Sequence, residues 1–310
     1  MSSSLPALII DETYSFIKKT LNHFNWNHLN TIINSHFDER RGHKFLSYTD
    51  VLPSLVFHSI CGRYKDSIPL SSFFALNCLA AQMFDDSQDG LKSAWDGIDL
   101  LSAGTYLMNA ATWIITSRYK ANDTYTDIHF RFFHTVSLAA QSQSSYPSIS
   151  ELSLNTYFSN VLCKTGNVFS FATWSGAKLA LGISRSKLLK DISQFGEYIG
   201  IASQIIDDVK DCYDETHSHH DLSNQVYTLP VIHALHQSNN PNHNRLNNLL
   251  QNSRNDQSAQ AEIDRLLANI GSYTWSNNLA NFYFFKASIL IKSLSDEINN
   301  TWLIDYVTNS

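Results

Sequence analysis

Helix breakers are so scarce in this chain that few folds other than a helical one remain open to it. Only 11 glycines and 6 prolines occur among 310 residues, roughly half of ordinary usage. Because both residues interrupt helices, long stretches without them favour helix. Apolar residues recur with helical spacing from end to end, and no alternation typical of strands stands out. The sequence therefore predicts an all-α fold, with one domain over residues 1–310.

The apolar periodicity also predicts where the helices lie, with turn residues between them. They are expected over residues 8–23, 49–62, 70–89, 99–118, 126–143, 150–182, 186–213, 227–237, 257–270 and 275–297. The helix over 150–182 is expected to be broken. The polar segments 214–226 and 238–258 are predicted to be loops or short connectors.

Composition and charge disfavour several classes of protein. The net charge is −6 and no basic patch occurs, which argues against nucleic-acid binding. No run of about 18 or more apolar residues indicates a membrane span, and a signal peptide is not expected because the N-terminus lacks a basic leader. The cysteines, Cys61, Cys78, Cys163 and Cys212, are widely spaced. This spacing indicates free thiols in a reducing compartment, so we expect a cytoplasmic protein.

Two aspartate clusters share one spacing, and each follows an apolar stretch with helical periodicity. The clusters are Asp85, Asp86 and Asp89 in LAAQMFDDSQDG, and Asp207, Asp208 and Asp211 in GIASQIIDDVKDCYDE. On a helix, the first and last members of a cluster lie four residues apart and share a face. A glutamine precedes each cluster by three residues, Gln82 in the first case and Gln204 in the second.

This spacing points to divalent metal binding. Like charges four residues apart destabilise a helix by a few tenths of a kcal/mol, and a cation relieves that repulsion. Magnesium prefers a few carboxylates together with water and a substrate phosphate. Two such faces, opposed across a cavity, would hold several Mg²⁺ ions around one diphosphate and allow a carbon–oxygen bond to ionise. The alternative is that each cluster is a solvated helix end, which the repeated spacing disfavours.

At these residues the chain resembles the trans-isoprenyl diphosphate synthase (polyprenyl synthetase) family. The resemblance covers roughly residues 49–237. Besides both aspartate motifs, it rests on Lys164-Thr165-Gly166, Gln141 in SLAAQSQ, the stretch from Gly200 to Asp211, Asp221-Leu222 and Thr228-Leu229-Pro230-Val231. It implies a class I isoprenoid synthase fold, which is a helical bundle around a deep central cavity, and an allylic prenyl diphosphate as the substrate.

The resemblance also implies roles for individual residues. Asp85, Asp86 and Asp89 would hold one pair of Mg²⁺ ions, and Asp207, Asp208 and Asp211 would hold the third. Lys164 would bind the diphosphate directly. Thr165, Gln204 and Gln141 would complete the substrate site. We also expect a homodimer.

The chain departs from the family where cations bind a second substrate, isopentenyl diphosphate. The family's Gly-Lys-Arg element corresponds here to residues 46–53, which contain no cation. Its paired arginines after the first motif correspond to residues 90–95, with a single lysine. The lysine before Thr-Leu-Pro corresponds to residues 225–227, Gln-Val-Tyr. Charge-assisted contacts to phosphate are strong, so these losses predict an intact metal site and a largely absent isopentenyl diphosphate site.

Two branches of the family fit this pattern. One contains synthase-like terpene synthases, and the other contains isoprenyltransferases that modify a peptide tryptophan. We favour a terpene synthase acting on farnesyl or geranylgeranyl diphosphate. Chain elongation and a non-catalytic role stay open as alternatives.

The helix before the first cluster predicts the length of the substrate. The residues four and five before Asp85 are Ala81 and Ala80, and both are too small to close a pocket. Phe73 and Phe74, about two turns deeper, are bulky enough to form its floor. Each turn adds about 5.4 Å, close to one isoprene unit, so the spacing favours fifteen or twenty carbons, with twenty preferred.

Three further groups have two explanations each. The aromatic residues around Trp174 would stabilise a carbocation, although core packing explains them more simply. The histidines between residues 217 and 220 are either metal ligands or, more simply, part of a polar loop. Asp214 and Glu215 either extend the acidic rim or are solvated.

Overall fold

The computed structural model describes residues 4–88, 90, 95, 97–119, 123–144, 151–182, 186–212, 226–237, 242–252 and 257–308. These ranges contain helices and no strand. The helices are α1 (Leu5–His23), α2 (Asn27–Arg40), α3 (Lys44–Asp50), α4 (Leu52–Cys61), α5 (Ile68–Gln88), α6 (Leu100–Arg118), α7 (Asp123–Gln143), α8 (Leu154–Val161), α9 (Asn167–Leu181), α10 (Ser186–Lys210), α11 (Leu229–His236), α12 (His243–Asn252), α13 (Gln257–Ile270), α14 (Ser272–Ser293) and α15 (Thr301–Thr308). A short 3₁₀-helix (Lys65–Ser67) precedes α5, and a π-helix (Leu162–Gly166) joins α8 to α9.

Local capping sets the start of two helices near the candidate site. The Asp99 side chain accepts a hydrogen bond from the backbone N–H of Ser102 at 2.7 Å, which begins α6. The Ser153 hydroxyl accepts one from the backbone N–H of Thr156 at 3.0 Å, which begins α8. In both cases a short polar side chain satisfies a backbone donor that has no partner within the helix.

The helix prediction is correct for most elements, but three helices were not expected. Residues 27–40 and 301–308 form α2 and α15, for which no helix was expected. The segment 238–258, predicted to be a loop or short connector, contains α12. In α12, Leu246 and Leu250 lie one turn apart and are buried beside Ile263 and Leu267 of α13. Burial of this narrow apolar stripe stabilises a sequence with weak helix propensity. The expected helix over 49–62 is divided at Val51, where α3 ends and α4 begins.

Two compact units divide the chain. The first combines Met1–Phe132, Phe171–Ser193 and Ser288–Ser310, and the second combines Phe133–Ser170 and Gln194–Ala287. Each unit joins segments that are distant in the sequence. The single domain expected over residues 1–310 stays a prediction.

The first unit has α5 in its core. Phe73 and Phe74 of α5 are buried. The Phe73 ring packs against Phe132 and Phe171, with ring centroids 4.6 and 6.5 Å apart. Phe171 is therefore part of a core aromatic cluster. The Arg131 guanidinium lies 4.5 Å from the centre of the Trp174 ring. This ring therefore already makes a cation–π contact within the protein.

The second unit packs around the C-terminal half of α10. Ile201, Ile205 and Val209 are buried there with Tyr157 of α8 and Leu229 of α11. Apolar residues three and four apart on α10 form one continuous stripe. This stripe fixes the end of α10, which carries the second aspartate cluster.

Within the described residues, one helix, over residues 65–88, is long and apolar enough to cross a membrane, although the sequence indicated no such span. In its most apolar window 67% is buried inside the protein. Core helices pass the same test of length and composition, so this is weak evidence for a membrane span.

Candidate active site

The first aspartate cluster lies at the C-terminal end of α5. Asp85 and Asp86 are half-buried. Asp89 lies outside the described residues. The Asp86 Oδ2 atom accepts a hydrogen bond from Nε1 of Trp95 at 2.6 Å. The indole of Trp95 thus sets the orientation of the Asp86 carboxylate within the predicted metal-binding cluster.

Trp95 is itself held in a buried position. Its side chain is 5% exposed, and its ring lies 5.7 Å from that of His36. Burial, aided by the positive charge of Arg40, lowers the pKa of His36 to about 4. His36 is therefore a neutral neighbour of Trp95 near pH 7, and the sequence reading had not connected it to the cluster.

A glycine allows α6 to approach the turn of α5 that precedes Asp85. A Cβ atom on Gly104 would lie 2.7 Å from the Phe84 ring. This distance is far below van der Waals contact, so only glycine fits without a shift of Phe84. The close approach of these two helices fixes the position of the first cluster.

A stripe of decreasing exposure runs down α5 from Ala81, which lies one turn before Asp85. Ala81 is exposed, Asn77 and Cys78 are half-buried, and Phe74 and Phe73 are buried. This gradient has the order expected for a pocket wall that ends at the two phenylalanines. Ala80, which was also predicted to line the pocket, has no exposed surface and lies off this stripe.

The second aspartate cluster lies at the C-terminal end of α10. Asp207 and Asp211 are exposed. The backbone N–H of Asp211 donates to the carbonyl of Asp207 at 2.9 Å, so the helical turn continues through the cluster. Their carboxylates therefore share one face, as the spacing predicted.

Asp208, between them, is buried. Its Oδ2 atom accepts hydrogen bonds from the Tyr157 hydroxyl at 2.6 Å and from the backbone N–H of Leu229 at 3.2 Å. Its Oδ1 atom accepts one from Nε2 of Gln204 at 3.0 Å. Asp208 thus ties α8, α10 and α11 together, and it is less accessible than Asp207 or Asp211.

Sequence reasoning missed Tyr157. Tyr157 precedes Lys164 by seven residues, which is about two helical turns. That spacing was the signal that could have placed both side chains on one face. Without the fold, however, nothing in the sequence joins Tyr157 to an aspartate 51 positions later.

Lys164 and Thr165 lie in the π-helix, a widened turn that is frequent at functional sites. The Thr165 hydroxyl donates to Oε1 of Gln204 at 2.5 Å, and Gln204 donates onward to Asp208. Thr165 is thus connected to the second cluster through one glutamine. The structure brings together the predicted residues Thr165, Gln204 and Asp208.

Gly200 makes this arrangement possible. A Cβ atom there would lie 2.7 Å from the carbonyl oxygen of Thr165 and 2.9 Å from Cα of Gly166. Glycine therefore lets α10 approach the π-helix closely enough for Gln204, one turn further along, to reach Thr165. Gln141 lies in the last turn of α7 with an exposed side chain, and its substrate-binding role stays a prediction.

The electrostatics of the second cluster favour a cation. Although the Asp207 side chain reaches the surface, the surrounding protein desolvates its carboxylate and, with a contribution from the charge of Asp208, raises its pKa to about 6. The charges of Lys210 and Lys164 act in the opposite direction. Burial likewise raises the pKa of Asp208. Negative charge is therefore costly here without a positive partner.

The donor set fits magnesium. Asp207 and Asp211 offer hard carboxylate oxygens one turn apart, the ligands that Mg²⁺ prefers. Within the described part of the chain, no three His, Cys, Asp or Glu side chains form a complete ligand group by themselves. Magnesium keeps several waters and uses substrate phosphates as ligands, so an incomplete protein set is compatible with it.

Cations near the segment 46–53 are neutralised by acids. Arg40 binds Asp50 through two hydrogen bonds, from Nε at 2.7 Å and Nη2 at 2.6 Å. The Tyr14 hydroxyl also donates to Asp50, at 2.7 Å. Lys44 pairs with Asp305 at 2.9 Å. The segment that corresponds to the family's cationic element thus carries a buried acid, Asp50, and the counter-ion of that acid, Arg40, comes from α2.

An open cavity of about 490 Å³ lies at the opposite end of α5 from the aspartates. Its lining mixes acids with bases, among them Glu12, Lys19 and Arg118. It is a separate feature of the surface and contains no residue of the predicted site.

Several sequence predictions fall outside the described residues. These concern Asp89, Lys92, Asp214, Glu215, His217, His219, His220, Asp221, Leu222 and Gln225.

The helical fold and the aspartate-bearing helix ends are those expected of an isoprenoid synthase. The polyprenyl synthetase family profile matches residues 88–270, more than half of the chain. The chain belongs to the polyprenyl synthetase family. The family predicted from the motifs is confirmed.

Solved structures confirm the fold. Heptaprenyl diphosphate synthase from Staphylococcus aureus superposes with a TM-score of 0.80 at 18% identity, covering 99% of this chain and 98% of that one. Geranylgeranyl pyrophosphate synthase from Lactobacillus brevis gives a TM-score of 0.78 at 16% identity, covering 92% and 90%. The chain therefore has the all-α class I isoprenoid synthase fold.

One curated relative shares a short segment. Dolasta-1(15),8-diene synthase from Colletotrichum gloeosporioides is 33% identical over 116 residues, 37% of this chain. This chain spans only 14% of the length of that relative.

Proposed function

We propose that the protein is a class I terpene synthase that ionises farnesyl or geranylgeranyl diphosphate and releases diphosphate, with Mg²⁺ as its cofactor. The proposal rests mainly on one observation: the positive charge of Arg40 is neutralised by Asp50. The chain keeps both aspartate clusters, but the segment that should bind a second diphosphate offers it no uncompensated positive charge.

The argument at Arg40 is electrostatic. The Asp50 side chain is 2% exposed, and both its oxygens accept hydrogen bonds from the guanidinium. Bidentate pairs of this kind are among the strong hydrogen bonds in proteins. For Arg40 to bind a diphosphate, it would have to leave Asp50 buried without its counter-ion, which costs several kcal/mol. The buried pair with Asp50 therefore supports the proposal that Arg40 does not serve as a ligand for isopentenyl diphosphate.

The chain's own residues have distinct tasks in the ionisation step. Magnesium, when bound, neutralises the charge that develops on the leaving diphosphate. Asp85, Asp207 and Asp211 would supply its carboxylate ligands. Lys164 binds a diphosphate oxygen, and Thr165 is held in place by its hydrogen bond to Gln204. Apolar walls exclude water and shape the fate of the carbocation.

The comparisons support the proposed terpene product and the proposed divalent metal with a prenyl diphosphate substrate. The relative with the 116-residue match is named as a diene synthase, which fits a hydrocarbon product. A geranylgeranyl pyrophosphate synthase from Corynebacterium glutamicum with this fold was solved with calcium and isoprenyl diphosphate, which fits a divalent metal and a prenyl substrate. The free state of all four cysteines fits a cytoplasmic location, which is part of the same proposal.

A second candidate is prenyl transfer. Two structures similar over more than 90% of this chain are named as a geranylgeranyl pyrophosphate synthase and a heptaprenyl diphosphate synthase, which fits chain elongation. Transfer to another acceptor, such as a peptide tryptophan, belongs to the same class of reaction, since it also begins with ionisation of the allylic diphosphate.

One incubation series separates these functions. The protein is given farnesyl or geranylgeranyl diphosphate with Mg²⁺, with and without isopentenyl diphosphate, and products are identified by mass spectrometry. We expect diphosphate and a terpene without isopentenyl diphosphate. Products that form only with isopentenyl diphosphate, all of them longer chains, would establish elongation instead. A matched variant, Asp50→Asn, frees the charge of Arg40 and should increase any binding of isopentenyl diphosphate.

A further inference from the structure

The second aspartate of each cluster has the same kind of partner. Nε1 of Trp95 donates to Oδ2 of Asp86 at 2.6 Å. The Tyr157 hydroxyl donates to Oδ2 of Asp208, also at 2.6 Å. Both donors are buried aromatic side chains. The two clusters lie on different helices, so this parallel does not arise from a shared local sequence.

A neutral donor suits a carboxylate in a metal-binding cluster. A hydrogen bond to an ionised acceptor is short and fixes the orientation of the carboxylate. An arginine or lysine would also fix it, but would cancel the negative charge that attracts the metal. An indole N–H or a phenol O–H leaves that charge in place. The family's paired arginines are absent from residues 90–95, and Trp95 lies in that stretch.

Packing holds both donors in fixed positions. Trp95 lies beside the His36 ring. Tyr157 is buried in an apolar cluster with Val161, Ile205 and Leu229. Because these side chains are already immobile, they lose little conformational entropy when metal ions bind to the cluster. Hydrogen-bonded neighbours of this kind orient the ligands of metal sites.

We propose that Trp95 and Tyr157 are positioning residues that orient Asp86 and Asp208, so that the flanking aspartates of each cluster are presented to the metal ions. This inference rests on the magnesium site of the proposed function. Each aromatic residue acts through its aspartate, and neither contacts the substrate in this role.

The test compares four conservative variants. Trp95→Phe and Tyr157→Phe remove the donors and keep an aromatic ring. Tyr14→Phe is the control for tyrosine, because the Tyr14 hydroxyl also donates to a buried aspartate, Asp50, at 2.7 Å. Trp275→Phe is the control for tryptophan, because Trp275 also lies against a histidine ring, His233, at 4.4 Å.

The readout is metal binding rather than turnover. Free Mn²⁺ is measured by electron paramagnetic resonance in the presence of inorganic diphosphate, without a prenyl substrate. We expect Trp95→Phe and Tyr157→Phe to weaken Mn²⁺ binding by about tenfold or more, the size expected when a hydrogen bond to a charged group is lost. The controls should stay within about twofold of the parent chain, a difference well under that tenfold. Unchanged Mn²⁺ affinity in folded Trp95→Phe and Tyr157→Phe would overturn the inference.

A second readout is specific to Trp95. Addition of Mg²⁺ and diphosphate should change the intrinsic fluorescence of the parent protein, and Trp95→Phe should lose most of that change while Trp275→Phe retains it. An equal change in Trp95→Phe would contradict the proposed link between the indole and the cluster.

Another pair of variants covers the case in which the Phe variants do not fold. Asp208→Asn preserves shape and an acceptor oxygen, so we expect it to reduce Mn²⁺ binding less than Asp207→Asn does. An equal or larger loss in Asp208→Asn would overturn the positioning role.

The proposed function fails separately, if the parent chain binds Mn²⁺ and diphosphate but ionises no prenyl diphosphate. Absence of Mn²⁺ binding by the parent chain would overturn the metal site itself, and the inference with it.

Discussion

Asp207 and Asp208 are adjacent in the sequence, yet the fold gives them different surroundings. Asp207 is exposed at the end of α10. Asp208 points into the protein, where Tyr157, Gln204 and the Leu229 backbone donate hydrogen bonds to it. Neighbouring aspartates of one cluster therefore have different roles: Asp207 is exposed to solvent, whereas Asp208 anchors the end of α10.

The first prediction at the residue scale concerns the first aspartate of each cluster. Asp85→Ala and Asp207→Ala should each reduce kcat by at least about 100-fold, since a metal contributes several kcal/mol to catalysis and 1.4 kcal/mol is tenfold. Activity is measured as diphosphate release, and circular dichroism checks that the helices persist. Asp296→Ala, an exposed aspartate outside the clusters, is the control. Near-normal turnover of either cluster variant without added metal would contradict the proposed mechanism.

At the scale of the helix, small residues determine how closely elements approach. Gly104 allows α6 to approach Phe84 beside the first cluster, and Gly200 allows α10 to approach the π-helix beside the second. Each aspartate cluster therefore lies next to a helix contact that excludes a methyl group. The periodicity of the apolar residues predicts the helices but does not show which neighbour each glycine faces.

Gly200→Ala should disturb the second cluster through this contact. The added methyl group would lie 2.7 Å from the Thr165 carbonyl, so α10 must shift, at a cost of about 1–3 kcal/mol typical of overpacking. The expected results are a lower midpoint of urea unfolding and a loss of activity. Gly42→Ala is the comparison, because its Cβ atom would lie 3.3 Å from the nearest atom. A Gly200→Ala protein with parental stability and kinetics would show that the close approach is unimportant.

The exposed stripe of α5 leads to a prediction about substrate length. Ala81→Phe should place a ring on the accessible side of α5 and shift preference from twenty-carbon toward ten-carbon diphosphates. Competition between geranyl and geranylgeranyl diphosphate, followed by mass spectrometry, measures the shift. Ala80 is fully buried, so Ala80→Phe should instead destabilise the fold by overpacking. If folded Ala81→Phe used the twenty-carbon substrate as well as the parent does, α5 would not form the wall of the pocket.

At the scale of the whole molecule, α7 and α14 each expose a pair of phenylalanine side chains. On α7, Phe130 and Phe133 are 71% and 57% exposed and lie three residues apart. On α14, Phe282 and Phe285 repeat this spacing at 53% and 61% exposure. Clustered exposed rings of this kind often mark interaction surfaces.

The homodimer expected from the sequence can be tested on these faces. Multi-angle light scattering should give twice the mass of one chain. The double variant Phe130→Glu/Phe133→Glu should dissociate the dimer, because α7 carries the more exposed ring, whereas Phe282→Glu/Phe285→Glu should leave it intact. A monomeric parent chain would rule out the dimer, and dissociation by the α14 variant alone would move the interface to that helix.

The sequence alone was sufficient for the fold class, the family and the positions of both aspartate clusters. These follow from local rules, since scarce breakers and apolar periodicity predict helices, and a four-residue spacing places carboxylates on one face. The same rules failed for α12, whose stripe of Leu246 and Leu250 is too narrow to outweigh its polar surroundings until Ile263 and Leu267 cover it.

Only the tertiary structure decided how the site residues are used. Three residues are distinguished from others of their kinds only by hydrogen-bond partners elsewhere in the chain. The partner is 9 positions away for Trp95, 51 for Tyr157 and 10 for Arg40. A hydrogen bond depends on distance and direction in space, and burial depends on what covers a side chain. Neither quantity is encoded in the spacing of residues along a helix, so the two aspartate clusters could be found from the sequence while the contributions of Trp95, Tyr157 and Arg40 could not.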